Sequence, residues 1–332
     1  MSDAPRRPAV EVAAVDAGDE AAIRAYLAIR NATTPDSPDS LANARWAEAT
    51  YPGQGTTFLA TDATGAAVGT ASAGRIWMHG PDYERWWLGL WVLPEARQQG
   101  IGTALFRACS DAARVAGKTG LQTELSEAHV DGHRFLAARG FVEIERTKSV
   151  RLDLAGLAAP RADPPAGISL ATLAARPDLL PAVHRAAVET FPDVPTGGEP
   201  LYAGTFDEFV ARDVDRPDLP REAFVIAVDD ATGEVAGYGN LVLQSGSDTL
   251  GLHDMTAVRQ AWRGRGIATA IKRATIAWAI DNGLAALETG NDEHNAPMRA
   301  VNARLGYRPI PDSVGLQGPL APAGLSTGLP TR

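Results

Sequence analysis

The sequence predicts an α/β (α+β) protein made of two consecutive domains, and two observations carry the prediction. Short apolar runs of strand length alternate along the whole chain with stretches that are apolar at helical spacing. Landmarks of the first half also return in the second at one distance: Val92 and Val258, Gly100 and Gly266, Gly102 and Ala268, and Gly140 and Gly306 are each 166 residues apart. Phe58 and Phe224 keep that spacing, each opening an apolar strand ahead of a Thr-Gly turn, Thr64-Gly65 and Thr232-Gly233. So many landmarks at one offset mark the duplication of a whole domain. A chain of 332 residues has room for two units of about 150 each.

In chain order, residues 1–9 are rich in Pro and Arg and read as disordered. A strand is expected over 10–15 and a helix over 19–31, with Ile23, Tyr26, Leu27 and Arg30 along one side. Pro and Ser crowd 33–40, so the stretch to Pro52 reads as a loop holding one helix over 41–49. Strands over 58–61, 67–76 and 86–92 come next, joined by turns at Thr64-Gly65 and His79-Gly80-Pro81. A glycine loop at 97–102 opens a helix to about 116, then a strand over 121–126, a helix over 133–139 and a strand over 141–151. Residues 153–167, full of Ala, Gly and Pro, form the linker between a domain at 10–152 and one at 168–312. The second domain repeats the order: strand 168–172, helices 178–190 and 205–213, strands 223–228, 235–244 and 250–258, loop and helix 263–281, strand 284–289, helix 296–304 and a short strand after Tyr307. Residues 313–332, rich in Pro, Gly and Ser, read as a loose tail.

With 45% hydrophobic and 21% charged residues, the composition is that of an ordinary globular protein. A net charge of −9 argues against a nucleic-acid partner and mildly favours cationic or amine substrates. The single cysteine, Cys109, excludes an internal disulfide framework and offers no metal cluster; its place on the apolar stripe of a helix predicts burial. No apolar run approaches the ~20 residues of a membrane span, and the N-terminus lacks a signal-peptide core, so the protein is expected in the cytoplasm.

Both repeats centre on the same chemistry. An apolar strand runs into Arg263-Gly264-Arg265-Gly266-Ile267-Ala268, and a helix ended by Asn282-Gly283 follows. A glycine loop there brings backbone N–H groups and the positive end of the helix dipole close to an anion, and suits a phosphate or pyrophosphate. The Gly-Lys-Ser/Thr ending of a nucleotide P-loop is absent, and Gly264-x-Gly266 is followed by Thr269 where a dinucleotide loop needs Gly. What remains is R-x-x-G-x-G/A. The first repeat carries it as Arg97-Gln98-Gln99-Gly100-Ile101-Gly102.

On these motifs the chain resembles the GNAT superfamily of acetyl-CoA-dependent N-acetyltransferases, over nearly its full length. The resemblance implies two tandem domains, each a mixed, mostly antiparallel twisted sheet flanked by helices and splayed beside the loop. The tandem arrangement is also similar to that of mycothiol synthase, without a match to that enzyme's substrate. It implies acetyl-CoA as cofactor, held in the second domain by Thr256, Ala257, Val258, Arg263, Gly264, Arg265, Gly266, Ile267, Ala268, Thr269 and Asn295. The first-domain counterparts are Val92, Arg97, Gln98, Gln99, Gly100, Ile101, Gly102 and Thr103.

Acetyl transfer to an amine needs the thioester fixed, the ammonium deprotonated and a proton for the departing thiolate. The resemblance places a base four residues before the strand's last Val, which is Asp254, with Leu88 at the 166-residue offset. An Asp inside an apolar strand costs free energy unless solvated or paired, and desolvation would push it toward the range of a useful base. Glu288 on the next strand is the second candidate, with Gln122 at its offset. Strand alternation turns His253 to the face opposite Asp254 unless a bulge intervenes, and His253 reads as a packing histidine. In the family's N-x-x-A-x-x-x-Y pattern Asn295 matches, but Asn302 stands at the position of the tyrosine acid; the first domain has His129 and Leu136.

The leading expectation is transfer of an acetyl group to a small-molecule primary amine by the C-terminal domain, the N-terminal one being degenerate or cofactor-binding only. A monomer whose domains form a pseudo-dimer, or a homodimer, is expected. The alternatives are a non-catalytic acyl-CoA-binding or regulatory module, and an acyltransferase with a longer acyl-CoA or a hydroxyl acceptor. Asp254 and Glu288, replaced by Leu88 and Gln122 in the first half, favour an enzyme. The acceptor is expected to be read by the irregular segments 31–52 and 190–222.

Overall fold

A computed structural model describes residues 10–196, 199–247 and 249–323. The disorder expected for 1–9 and the last part of the expected tail, 324–332, lie outside the described residues. The first half runs β1 (Glu11–Ala14), α1 (Glu20–Thr33), α2 (Leu41–Thr50), β2 (Gly55–Thr61), β3 (Ala67–Arg75), β4 (Arg85–Val92), α3 (Ile101–Val115), β5 (Gly120–Ser126), α4 (Val130–Ala137) and β6 (Val142–Asp153). The second runs β7 (Ile168–Thr172), α5 (Leu180–Thr190), α6 (Phe206–Phe209), β8 (Val225–Asp229), β9 (Val235–Leu243), β10 (Leu250–Val258), α7 (Ile267–Asp281), β11 (Ala286–Asp292) and α8 (Ala296–Arg304). Two further strands, β12 (Arg308–Pro309) and β13 (Ser313–Pro319), close the described chain.

Local chemistry sets these limits. The Asp19 and Ser40 side chains accept hydrogen bonds from Ala22 N and Asn43 N, starting α1 and α2. A reciprocal Thr205–Glu208 capping box starts α6, which widens into a π turn through Val214. In α3 the residues Ile101, Leu105, Phe106, Cys109 and Ala113 recur at helical spacing and are buried, so the helix lies on the sheet. Cys109 is fully buried there, and burial pushes its thiol up to about 12.

All strands join one sheet in the order β1-β2-β3-β4-β5-β13-β6-β11-β10-β9-β8-β7, with β12 on β6. Most neighbours are antiparallel, and each half holds one short parallel contact. β4 meets β5 only over Arg85–Trp87 against Gly120–Gln122, and β10 meets β11 only over Leu250–Leu252 against Ala286–Glu288. Beyond those residues the paired strands part. Each half therefore opens into a V beside its glycine loop, as the resemblance implied.

The tail expectation needs correction for residues 313–319. β13 is inserted into the first half's sheet, pairing antiparallel with β5 along Gly120–Ser126 and with β6 over residues 142–147, while β6 crosses to pair with β11 of the second half. Val314 and Leu316 are buried in the first core, and the Ala321 N–H donates to Ser110 Oγ at 3.0 Å. Gly315 and Gly318, which suggested looseness, sit where a Cβ would run into Glu145 and Phe141. Glycine in this strand marks close approach.

Beneath β10, α7 buries Lys272, with its Nζ 5.5 Å from the Tyr307 ring and without a hydrogen-bond partner in the protein. Burial pulls its pKa from 10.5 down to about 7. Between those values the unfolded chain binds a proton that the folded chain refuses, so this group lowers stability below about pH 7 and the penalty fades as pH rises toward 10.5. Lys272→Met is expected to stabilise the protein by a few kcal/mol near pH 7, a tenfold change in proton affinity being about 1.4 kcal/mol. The gain should vanish near pH 10.5, which denaturant unfolding at both values checks.

Candidate active site

The two glycine loops have one construction. Arg263 Nε donates to the Val258 carbonyl at 2.9 Å and Arg97 Nε to that of Val92 at 3.1 Å, so each arginine lashes its loop to the end of its strand. Arg263 also reaches Asp193 at 2.5 Å. Gly266 and Gly100 precede α7 and α3 with φ of 89° and 91°. Gly264 adopts φ 77°, and its counterpart Gln98 accepts the same left-handed backbone at 61°, at a cost of about 1–2 kcal/mol for a residue with a Cβ. Ile101 and Ile267 are buried and root the helices in their cores. Thr103 is taken up by Arg139, Gln99 by the Glu95 carbonyl, and Arg265 stands exposed between its glycines. Neither helix has a side-chain cap, and a Cβ on Gly264 or Gly266 would meet open space. The first N–H groups of α7 thus face open space, an arrangement that can receive an anion.

Just before the second loop, β10 carries a bulge. His253 pairs with Leu241 of β9 and Thr256 with Gly239, so Asp254 and Met255 together oppose Asn240. The extra residue turns both side chains toward one face, and both line a cavity of about 300 Å³. Asn240 Nδ2 donates to Asp254 at 3.2 Å, and Arg216 lies 3.7 Å away. The Asp254 carboxylate is about one third exposed, so it is both solvated and paired. His253 faces α7 instead, buried beside Lys272 and Tyr307, and burial holds it neutral, well below its usual range.

The bulge also corrects the alignment of the two halves. β4 pairs with β3 without interruption: Leu88 opposes Ala73 and Gly89 opposes Ser72. Counted from the shared Val92 and Val258, Leu88 corresponds to His253, and Gly89 occupies the place of Asp254 and Met255. The Trp91 ring folds over Gly89, where a Cβ would collide with it. Tyr26, bonded to Ser72, packs edge-on against that ring at 5.9 Å, with Arg30 5.5 Å from its centre. In the first half, aromatic packing occupies the place where the second half has Asp254 lining a cavity.

The other named residues fall beside this centre. Glu288 is engaged by Arg151 at 2.8 Å on the neighbouring strand, and Gln122 accepts from Tyr83. Asn302 is buried and donates to Asn291 at 2.7 Å, while Asn295 caps α8 through Met298 N. Thr256, Ala257 and Val258 lie on the segment of β10 whose edge toward β11 has no ladder partner.

The cavity walls were not individually legible in the sequence. The second half supplies Phe191, Phe209, Phe224 and Tyr238, with Arg212, Asp213 and Arg216; the first half supplies Trp46, Trp77 and Met78. Trp46 is fixed by its Nε1 donating to the Ala211 carbonyl at 2.9 Å and by an edge contact with Trp77 at 5.0 Å. Arg212 is buried and holds Asp213 together with the Trp77 and Ala203 carbonyls. Burial raises the Asp213 carboxyl above its usual range against the pull of Arg212. Trp46, Phe191, Phe209, Arg212, Asp213 and Arg216 do fall in the irregular segments 31–52 and 190–222. The signal available was aromatic side chains in otherwise polar loops.

A tandem sheet of this topology, with two such loops, defines an acyl-CoA-type transferase scaffold. The chain belongs to the acetyltransferase (GNAT) family, which it matches over residues 20–141 and again over 181–307. Among solved structures it is similar to a tandem GNAT protein from the clavulanic acid biosynthesis pathway, with 22% identity, TM-score 0.75, and 95% of this chain and 100% of that one covered. It is also similar to a GCN5-related N-acetyltransferase from Sphaerobacter thermophilus, with 19% identity, TM-score 0.69 and coverage of 94% and 96%. The N-myristoyltransferase of Saccharomyces cerevisiae shares the fold at 12% identity and TM-score 0.67, with 96% and 81% covered. No curated protein matches the chain. Among the described residues no helix is long and apolar enough to cross a membrane.

Proposed function

We propose that this protein is an N-acetyltransferase that moves an acetyl group from acetyl-CoA to the primary amine of a small molecule, with the chemistry in the C-terminal half, 168–312. The observation that carries the reading is Asp254, set by a bulge into the lining of a cavity, on the strand that leads into a pyrophosphate-type loop. The N–H groups at the start of α7 would hold the pyrophosphate, and the free edge of β10 over Thr256–Val258 would hold the acyl arm. The cofactor supplies an activated thioester. Asp254 takes the proton of the entering ammonium, and Asn240 keeps its carboxylate in place. Asn302 positions Asn291 and has no acidic proton to give, so the thiolate released when the thioester C–S bond breaks would take its proton from solvent. The Trp91 ring packed over Gly89 supports a non-catalytic first half.

The cofactor part of this reading is tested by titration calorimetry. Gly266→Val puts a branched side chain at a left-handed φ and into the open space before α7. Acetyl-CoA binding through the second half should weaken by about 2 kcal/mol or more. Unchanged affinity and stoichiometry in the variant would remove the loop from the account.

A further inference from the structure

The cavity has a composition that restricts the acceptor. At about 300 Å³ it is at the small end of ligand pockets. Its charged groups pair off: Arg212 holds Asp213, and Arg216 makes two hydrogen bonds to Asp218, leaving Asp254 as the carboxylate without a cation at hydrogen-bond distance. Most of the remaining wall is aromatic, with Phe191, Phe209 and Phe224 from one half and Trp46 and Trp77 from the other. Tyr238 also lines it; its hydroxyl is buried without a hydrogen-bond partner in the protein, and burial next to Asp213 and Asp254 keeps it protonated.

We infer that the acceptor is a monoamine on an aromatic body, and that Trp46 of the first half selects it. This rests on the acetyltransferase reading above. The ammonium meets Asp254 and the ring lies among the aromatic walls beside Trp46. A diamine would need a second carboxylate in the cavity, and Asp213, the other one in its lining, is held by Arg212. An amino sugar would bring several hydroxyl groups against apolar walls that cannot pair them. Trp46 is held rigidly enough to discriminate, by its bond to Ala211 and its contact with Trp77. The first half therefore contributes to catalysis as the roof of its partner's acceptor site.

The test is CoA thiol release by the full chain with tyramine, 2-phenylethylamine, putrescine and glucosamine. Tyramine should exceed putrescine and glucosamine in kcat/KM by tenfold or more. Trp46→Ala should lower the tyramine value about tenfold, mainly through KM, with acetyl-CoA affinity unchanged. 2-Phenylethylamine should be accepted about as well as tyramine. Because Trp46 also joins the halves, Met78→Ala serves as a second roof variant and should raise the same KM. Preference for glucosamine or putrescine, with thiol release intact, overturns the acceptor class and leaves acetyl transfer standing. No thiol release with any amine, although acetyl-CoA binds, overturns both.

Discussion

Asp254→Asn is expected to lower kcat/KM for the amine acceptor by roughly 10²–10⁴-fold, the range lost with a positioned general base. The amide keeps the shape of the carboxylate and can still meet Asn240, so the cavity and acetyl-CoA affinity should stay near their parent values. The loss should shrink as pH rises, because the amine then sheds its proton unaided. Glu288→Gln should have little effect, since Glu288 is engaged by Arg151 away from the cavity lining. Initial rates of thiol release across pH for the three proteins check this. An active Asp254→Asn beside a dead Glu288→Gln would move the base to Glu288.

Ending the chain at Asp312 is expected to destabilise the first half, although the residues removed belong to the end of the second. β13 fills the place between β5 and β6 and buries Val314 and Leu316. Each buried side chain of this kind contributes about 1.5–3 kcal/mol, and the ladder bonds to two strands go with them. That is comparable with the ~5–15 kcal/mol by which a domain is stable at all. Cys109 reports the outcome: fully buried in the first core, it should resist a thiol reagent in the parent and react in the truncated chain. Val314→Asp should act the same way more mildly. A truncated protein with an unchanged melting temperature and a protected Cys109 would show that β13 is dispensable.

The parts legible in the sequence were those fixed by local chemistry. Gly264, Gly266 and Arg263 stand within four positions, so a strand, loop and helix could be read directly, and duplication at Arg97 and Gly100 confirmed the register. The bulge at Asp254-Met255 adds one residue without a glycine or proline to mark it, which is why a constant offset led to Leu88 in place of Gly89. β13 was hidden because Gly315, Gly318 and Pro319 look like turn residues, and only the Glu145 and Phe141 side chains above them explain the glycines. The roof of the cavity depends on Trp46 meeting Ala211, a contact spanning 165 positions that no local pattern encodes.

The central claim, that catalysis belongs to the C-terminal half, is tested most directly by comparing Gly100→Val with Gly266→Val in thiol release at saturating amine. Both glycines hold nearly the same left-handed φ, 91° and 89°, so backbone strain is matched and only the site differs. The account predicts that Gly266→Val loses most of the activity while Gly100→Val keeps it. Activity lost in Gly100→Val and retained in Gly266→Val would place the chemistry in the other half and contradict it.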